Sequence, residues 1–326
     1  MARVAVTGGT GFLGRALVAA LAGEGHRVVV LTRRAGQVEL PAGALARPWP
    51  GSDDPELPGW WEALEGAEAV VHLAGAPLAS GRWDGSAKAR IRDSRVLSTR
   101  RLVEGLGRLS ERPQVLVSAS AVGYYGDRGD EPLTEEASPG RGFLAEVCQA
   151  WEAAAQEAEA LGIRVVRLRI GLVLGPGGAL TALLRPFRLG LGGPLGRGDQ
   201  WVPWVHRDDV VGLVRLAWSD RRAAGALNAV APEPVRQADL ARALGRVLRR
   251  PAVLRLPAPL LRLALGEVAD ALLLASQRAL PAQALRLGYA FRHRALEPAL
   301  RAALRGEEEP RHGPTNPTRS HSVPRE

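Results

Sequence analysis

The chain has 326 residues, 46% of them hydrophobic, a net charge of +9 and one cysteine, Cys148. That length supports a large core, as one domain with an appendage or as two; one cysteine excludes an intramolecular disulfide, and a reducing, cytoplasmic setting is expected. No run approaches the roughly 18 apolar residues of a membrane span, and the positive charge is carried by arginines spread among acids, so neither a membrane nor a specific nucleic-acid partner is expected.

The N-terminus enters a strand directly, with no leader-like charged start and apolar run. Arg3 to Gly14 reads RVAVTGGTGFLG. Val4 to Val6 form a short apolar strand, residues 7–11 a turn, and Phe12 onward a helix with Leu13, Leu17 and Leu21 four apart. Gly8, Gly11 and Gly14 give the spacing G-x-x-G-x-x-G: a tight turn, close approach to a pyrophosphate, and close packing of helix on strand. With Thr10, Phe12 and Leu13, whose peptide groups open the helix, they are the candidate phosphate cradle. Val28 to Leu31 is a second strand, ending in Thr32-Arg33-Arg34 with no acid until Glu39. Guanidinium groups suit a ribose 2′-phosphate and a carboxylate would repel it, so NADP(H) is expected over NAD(H).

Residues 41–60 read as a loop with a short strand. Ala69 to Leu73 is the next strand, leading into Ala74 and Gly75, where small residues let a cofactor approach; Leu73, Ala74 and Gly75 complete the cofactor candidates. His72 reads as a packed histidine. A long helix carries Lys88, the only lysine, and continues to Leu109; Lys88 either faces an anionic substrate or lies on a solvated face. Val115 to Val117 is a strand that feeds Ser118 to Gly126, an acidic turn-rich segment follows, and then come a helix over 143–161 and a strand over 164–168. From 179 the rhythm changes: helices are expected over 179–189, 208–218, 236–250, 258–279, 281–287 and 295–305, with a loop at 171–178, a short extended piece at 201–204, and a disordered tail over 306–326. The fold class expected is α/β, a Rossmann-type doubly wound parallel sheet over 1–235 with a substrate-lobe segment at 179–205, and a smaller, mainly helical C-terminal lobe over 236–305.

These pieces resemble the extended short-chain dehydrogenase/reductases: TGGTGFLG at 7–14, HLAG at 72–75, the serine strand end at 118–120 and WVHRDD at 204–209. Within them the chain is similar to an atypical subgroup, the epimerase family proteins, through RWDGSAKARIRDSR (82–95), SASAVGYYGDRGD (118–130), FLAEVCQAWE (143–152) and GEVADALLLASQRALPAQALRLGYAFRH (266–293), the last resembling a C-terminal domain of unassigned function. The resemblance implies hydride transfer at a nicotinamide, a serine at Ser120, and a Tyr-x-x-x-Lys acid/base pair. That pair is absent, because four residues before the only lysine stands Asp84; aligned on Glu152, the motif falls on Leu144 and Cys148. Tyr124 and Tyr125 are the substitutes considered, alongside a packing role against the cofactor loop; a neighbouring arginine would lower a phenol's pKa. Cys148 reads as buried filler rather than a nucleophile.

The resemblance places His206 on the substrate-side wall and Gln200, Trp201 and Trp204 in the substrate lobe, where the tryptophans serve either a ligand or a domain interface. No metal site is expected. Two function classes follow: an NADP(H)-dependent oxidoreductase or epimerase acting on a small anionic or sugar-nucleotide-like substrate, and a catalytically degenerate NADP(H)-sensing regulator of the cell-division-inhibitor kind. A homodimer through the helices at 88–109 and 143–161 is the partner the superfamily suggests.

Overall fold

The computed structural model describes residues 1–52, 57–79 and 81–308. Seven parallel strands form its central sheet: β1 (Arg3–Thr7), β2 (Arg27–Thr32), β3 (Ala44–Pro48), β4 (Ala69–His72), β5 (Val115–Ala121), β6 (Arg164–Ile170) and β7 (Gly225–Ala229), in the order β7-β6-β5-β4-β1-β2-β3. The α-helices are α1 (Phe12–Gly23), α2 (Gly85–Gly107), α3 (Phe143–Gln156), α4 (Gly178–Arg188), α5 (Arg207–Ser219), α6 (Gln237–Leu248), α7 (Ala258–Leu265), α8 (Ala282–Arg286) and α9 (Leu296–Glu308). The chain order reverses between β1 and β4, which opens the crevice where ligands bind in such sheets.

Alternation along the strands decides what covers each face. Val4, Val6, Val28 and Val30 meet Leu17 and Leu21 of α1 and Val210 and Val214 of α5. Ala5, Val29 and Leu31, one residue out of phase, meet Leu102 and Leu106 of α2. A separate core joins α4, α6 and α9 through Leu184, Leu244 and Leu300, with Trp204 inside it. Ala284 and Phe291, also late in the chain, belong instead to the core on the α1 and α5 side of the sheet. Asp209 fixes that attachment: its buried carboxylate accepts from the Arg292 amide (2.8 Å), the His293 amide (3.0 Å) and the Tyr289 hydroxyl (3.2 Å).

Several expectations are corrected. β7 lies in a stretch read without a strand; its sequence GALNA is short and carries an asparagine. The helix expected over 258–279 stops at Leu265 because Gly266 takes φ +62°, and a wider turn over Ala269–Leu274 and a bridge at Arg278–Ala279 follow. The loop expected at 171–178 contains a strand, Leu172–Leu174, parallel to Trp204–His206. α9 runs on to Glu308, three residues into the expected tail. Residues 309–326, the rest of that tail, and 53–56, inside the expected 41–60 loop, lie outside the described residues. Among the described residues no helix is long and apolar enough to cross a membrane.

His72 is fully buried at the end of β4. Thr99 donates its hydroxyl to the Arg95 carbonyl, so it accepts from His72 Nε2 at 3.0 Å, and Nδ1 accepts from Thr7 at 2.6 Å. This assigns a neutral imidazole, and burial lowers its pKa to about 3. Unfolded, the ring titrates near pH 6.5. Between these values the unfolded chain binds a proton that the native state refuses, so this contribution is complete above about pH 6.5 and is lost as pH falls toward 3. Urea unfolding from pH 8 to 4 is expected to show stability declining below pH 6.5, with a shallower decline in His72→Gln.

Candidate active site

The crevice is lined first by backbone. Gly8 has φ +66°, and a Cβ there would stand 2.7 Å from the Leu73 carbonyl carbon, so the turn after β1 lies against the end of β4. A Cβ on Gly14 would overlap the Gly8 carbonyl oxygen and come within 2.5 Å of the Gly9 Cα, which presses α1 onto the same turn. Gly11 is the N-cap of α1, with no side-chain cap and no acid in the first turn. The first helical bond runs from the Arg15 amide to the Gly11 carbonyl, leaving the N–H groups of Phe12, Leu13 and Gly14 without helical partners. Thr10 turns its carbonyl to Arg15 Nε at 2.9 Å. The Phe12 ring packs against the glycines at 175, 177 and 178.

Thr32, Arg33 and Arg34 stand at the carboxyl end of β2, beside β1. Both arginines are exposed; the Arg33 stem runs along Gly51, and the Arg34 amide donates to Thr32 Oγ1 at 3.4 Å. The Leu73 amide donates to the Thr7 carbonyl at 3.1 Å, and Ala74 and Gly75 follow across the turn from Gly8. The structure therefore brings together at one rim the three segments the sequence nominated for a dinucleotide.

The catalytic candidates stand on β5 and the turn after it, and a buried network claims most of them. Ser120 is 3% exposed and donates to Glu152 Oε1 at 2.7 Å. Glu152, on α3, is gripped bidentately by Arg169, Nε at 2.8 Å and Nη2 at 2.9 Å, and also by Arg167 at 3.3 Å. The register places Ser120 opposite Arg169 on the neighbouring strand. Arg169 Nη1 donates to the Tyr125 hydroxyl at 3.0 Å, and Tyr125 donates to Asn228 Oδ1 at 2.7 Å.

Two candidates are thereby corrected. Tyr125 is fully buried, and burial pushes its phenol up to about 12 although Arg169 pulls the other way, so it is a core anchor and not an acid/base. The Ser120 hydroxyl is committed to a buried carboxylate. Tyr124 differs: it is half-buried, its ring lies 3.5 Å from the Arg169 guanidinium carbon, and no hydrogen bond of its hydroxyl occurs among the described residues. Sequence reasoning missed Arg169 and Asn228. The available signal was Arg167 and Arg169 at alternate positions within the apolar run that follows Arg164.

Three of the four substrate candidates are corrected as well. Gln200 is buried, its amide donating to the carbonyls of Leu195 (3.2 Å) and Leu273 (2.8 Å). Trp204 is 1% exposed in the α4–α6–α9 core and donates to the Glu233 carbonyl at 3.2 Å, the interface role rather than the ligand role. His206 is buried, accepts the Asp208 amide at Nδ1 (3.2 Å) as the cap of α5, and stacks on His293 with ring centres 3.7 Å apart. Burial, and then the His293 charge, lower its pKa to about 4. Ligand atoms of His206, Asp208 and His293 lie within 4.8 Å of one another, but His206 Nδ1 is already used by that amide. Lys88 remains partly exposed, paired with Glu267 at 2.5 Å and 5.1 Å from the Phe143 ring centre.

With this geometry in place, the likeness to known proteins is informative. The model of the NAD dependent epimerase/dehydratase family matches residues 4–229. The chain belongs to that family. This family member also carries, over residues 256–303, a match to a domain of unknown function, DUF1731. It is 41% identical over 306 residues to the Arabidopsis thaliana chloroplastic homolog of epimerase family protein SDR39U1, covering 92% of this chain and 86% of that one. To the Bacillus subtilis epimerase family protein YfhF it is 36% identical, covering 91% and 96%. The crystal structure of human epimerase family protein SDR39U1 with NADPH superposes with a TM-score of 0.80 at 30% identity, covering 93% of this chain and 99% of that one.

Cys148, at the position where the family motif would place lysine, is 4% exposed; burial first, then the Glu152 carboxylate, push its thiol up to about 12. The thiolate is therefore scarce at any physiological pH. Native protein at pH 8 is expected to alkylate with iodoacetamide at least about a hundredfold more slowly than protein unfolded in urea. Equal rates, read by mass spectrometry, would contradict the buried assignment.

Proposed function

We propose that this chain binds NADP(H) in the β1–β4 crevice and acts as an oxidoreductase or epimerase on a small substrate. The uncapped, acid-free N-terminus of α1 carries the reading, because it opens beside Gly11 at the rim that Thr32, Arg33 and Arg34 share. The residues fit the cofactor. Gly11 has φ −78°, and a Cβ there would meet only the Gly8 carbonyl oxygen, at 3.2 Å, so that side is open to a ligand. The N–H groups of Phe12, Leu13 and Gly14 would hold the pyrophosphate, Arg33 and Arg34 the 2′-phosphate, and Leu73 to Gly75 would line the crevice. The NADPH complex of the human relative supports the same choice. The nicotinamide would supply hydride transfer when bound. Tyr124 Oη is the candidate proton carrier of this chain, held against Arg169, whose charge Glu152 balances.

A second reading, a nucleotide-sensing regulator, is favoured by one observation: the only lysine is tied to Glu267 and the family serine to Glu152. Cofactor turnover separates the two. With a panel of small carbonyl and sugar-nucleotide substrates, NADPH oxidation that Tyr124→Phe abolishes while NADPH binding persists supports the enzyme. Binding without turnover across the panel favours the sensor.

Two comparisons test the cofactor assignment. Replacing Arg33 and Arg34 by Ala is expected to weaken NADPH about tenfold or more while NADH changes less than about threefold, each lost phosphate contact being a charge-assisted hydrogen bond. Gly11→Ala is expected to fold within about 1 kcal/mol of the parent yet bind NADPH at least about tenfold more weakly, whereas Gly14→Ala loses about 3 kcal/mol of stability through overpacking. Fluorescence titration and urea unfolding read both.

A further inference from the structure

Arg95 of α2 is a half-buried cation whose hydrogen bonds among the described residues go to neutral oxygens. Nη1 donates to the Ile91 carbonyl and Nη2 to the Ala76 carbonyl, both at 3.0 Å. Its guanidinium carbon would lie 3.3 Å from a Cβ on Gly75 and lies 5.3 Å from the Trp151 ring centre, so it is sandwiched between the crevice segment 73–75 and α3. Ser94, one residue earlier, accepts the Ala76 amide at 3.0 Å, which pins the same segment from a second point. The guanidinium is thus held in place, and two of its five N–H groups account for its bonds.

Among the described residues no carboxylate forms an ion pair with Arg95, whereas Arg169 has a bidentate one. Glu152 is used by Arg169, Arg167 and Ser120. Cys148 is electrostatically coupled to Arg95, but its thiol, pushed up to about 12, stays neutral. Trp151, whose ring lies beside Arg95, is 5% exposed, and among the described residues its Nε1 has no hydrogen-bond partner. A partly desolvated positive charge with only neutral acceptors is stabilised when an anion supplies charged ones.

We propose that Arg95 is an oxyanion-recognition residue that receives a carboxylate or phosphate of the small substrate beside Gly75. This deepens the function proposed above and rests on it for the position of the cofactor along 73–75. The chemistry selects a substrate with one compact anionic group, and the fork geometry of arginine favours two parallel N–H···O bonds over a point contact. An uncharged analogue would leave the guanidinium as it is in the free protein.

The same oxyanion chemistry could come from the cofactor's own phosphates, so the test has separate arms. Malonate, inorganic phosphate, uncharged malonamide and NADPH are titrated calorimetrically into the full chain, into Arg95→Gln and into Arg95→Lys, the three small probes with and without saturating NADPH. Expected are millimolar binding of malonate or phosphate, no binding of malonamide, a loss of about tenfold or more in Arg95→Gln with a smaller loss in Arg95→Lys, and NADPH affinity within about threefold throughout. Three results would overturn the proposal. One is no anion binding to the wild type at tens of millimolar. Another is a tenfold loss of NADPH with malonate unchanged in Arg95→Gln, which would assign Arg95 to the cofactor. The third is loss of every ligand in both variants with a lowered unfolding temperature, which would make the residue structural. Wild-type protein that ignores NADPH yet binds malonate through Arg95 would sink the cofactor reading and leave this one standing.

Discussion

The bidentate pair between Glu152 and Arg169 is the interaction on which the carboxyl end of β5 and β6 depends. Both side chains are 3% exposed. Through Glu152 the pair fixes α3 to Ser120 on β5, and through Arg169 it fixes β6 to both tyrosines of the following turn. Tyr125 passes the connection to Asn228 on β7, whose amide donates to the carbonyls of Leu133 and Leu280. A pair so buried gains little over apolar packing, but removing one partner typically costs about 3–5 kcal/mol because the other charge is stranded. Its value here lies in geometry: α3, β5, β6 and the tyrosine turn meet at one carboxylate and one guanidinium, and β7 joins through Tyr125.

The same logic binds the late residues to the sheet. Glu135 accepts the Asn228 amide at 3.0 Å and the Gln283 amide at 3.2 Å, so the acidic loop after β5 reaches α8. Asp209 does the equivalent at the start of α5, accepting from Tyr289, Arg292 and His293. Lys88 and Glu267 join α2 to the segment after α7. Buried or bridging carboxylates, together with the apolar contacts of Ala284 and Phe291, therefore tie the residues after α6 to the strands laid down first.

What was legible in the sequence was what local rules govern. β1 and β2 follow from short continuous apolar runs, α1 from apolar residues four apart, and the turn between β1 and α1 from glycines whose missing side chains have a steric reason at Gly8 and Gly14. The crevice segments 8–14, 32–34 and 73–75 follow from the same rules and meet where the strand order reverses. Illegible were features set by partners far along the chain. Trp204 and His206 carry polar aromatic groups on a rim-like segment, and it takes residues of α4, α6 and α9, with His293, to enclose them. Tyr125 looked available until Asn228, 103 residues later, took its hydroxyl. β7 was missed because its core asparagine is tolerable only with those distant acceptors and donors in place.

The cradle after β1 is made of omissions. Where Leu73, Gly8 and Gly9 crowd the turn, side chains were left out, and what lines the crevice there is peptide backbone. Almost no substitution can adjust backbone, so the capacity to hold a dinucleotide is locked to the architecture itself. On the function proposed above, discrimination among dinucleotides would fall to Arg33 and Arg34, two exposed side chains at the end of β2, outside any core. That division would let the preference between NADP(H) and NAD(H) shift by surface substitutions while every core contact of the fold stays in place.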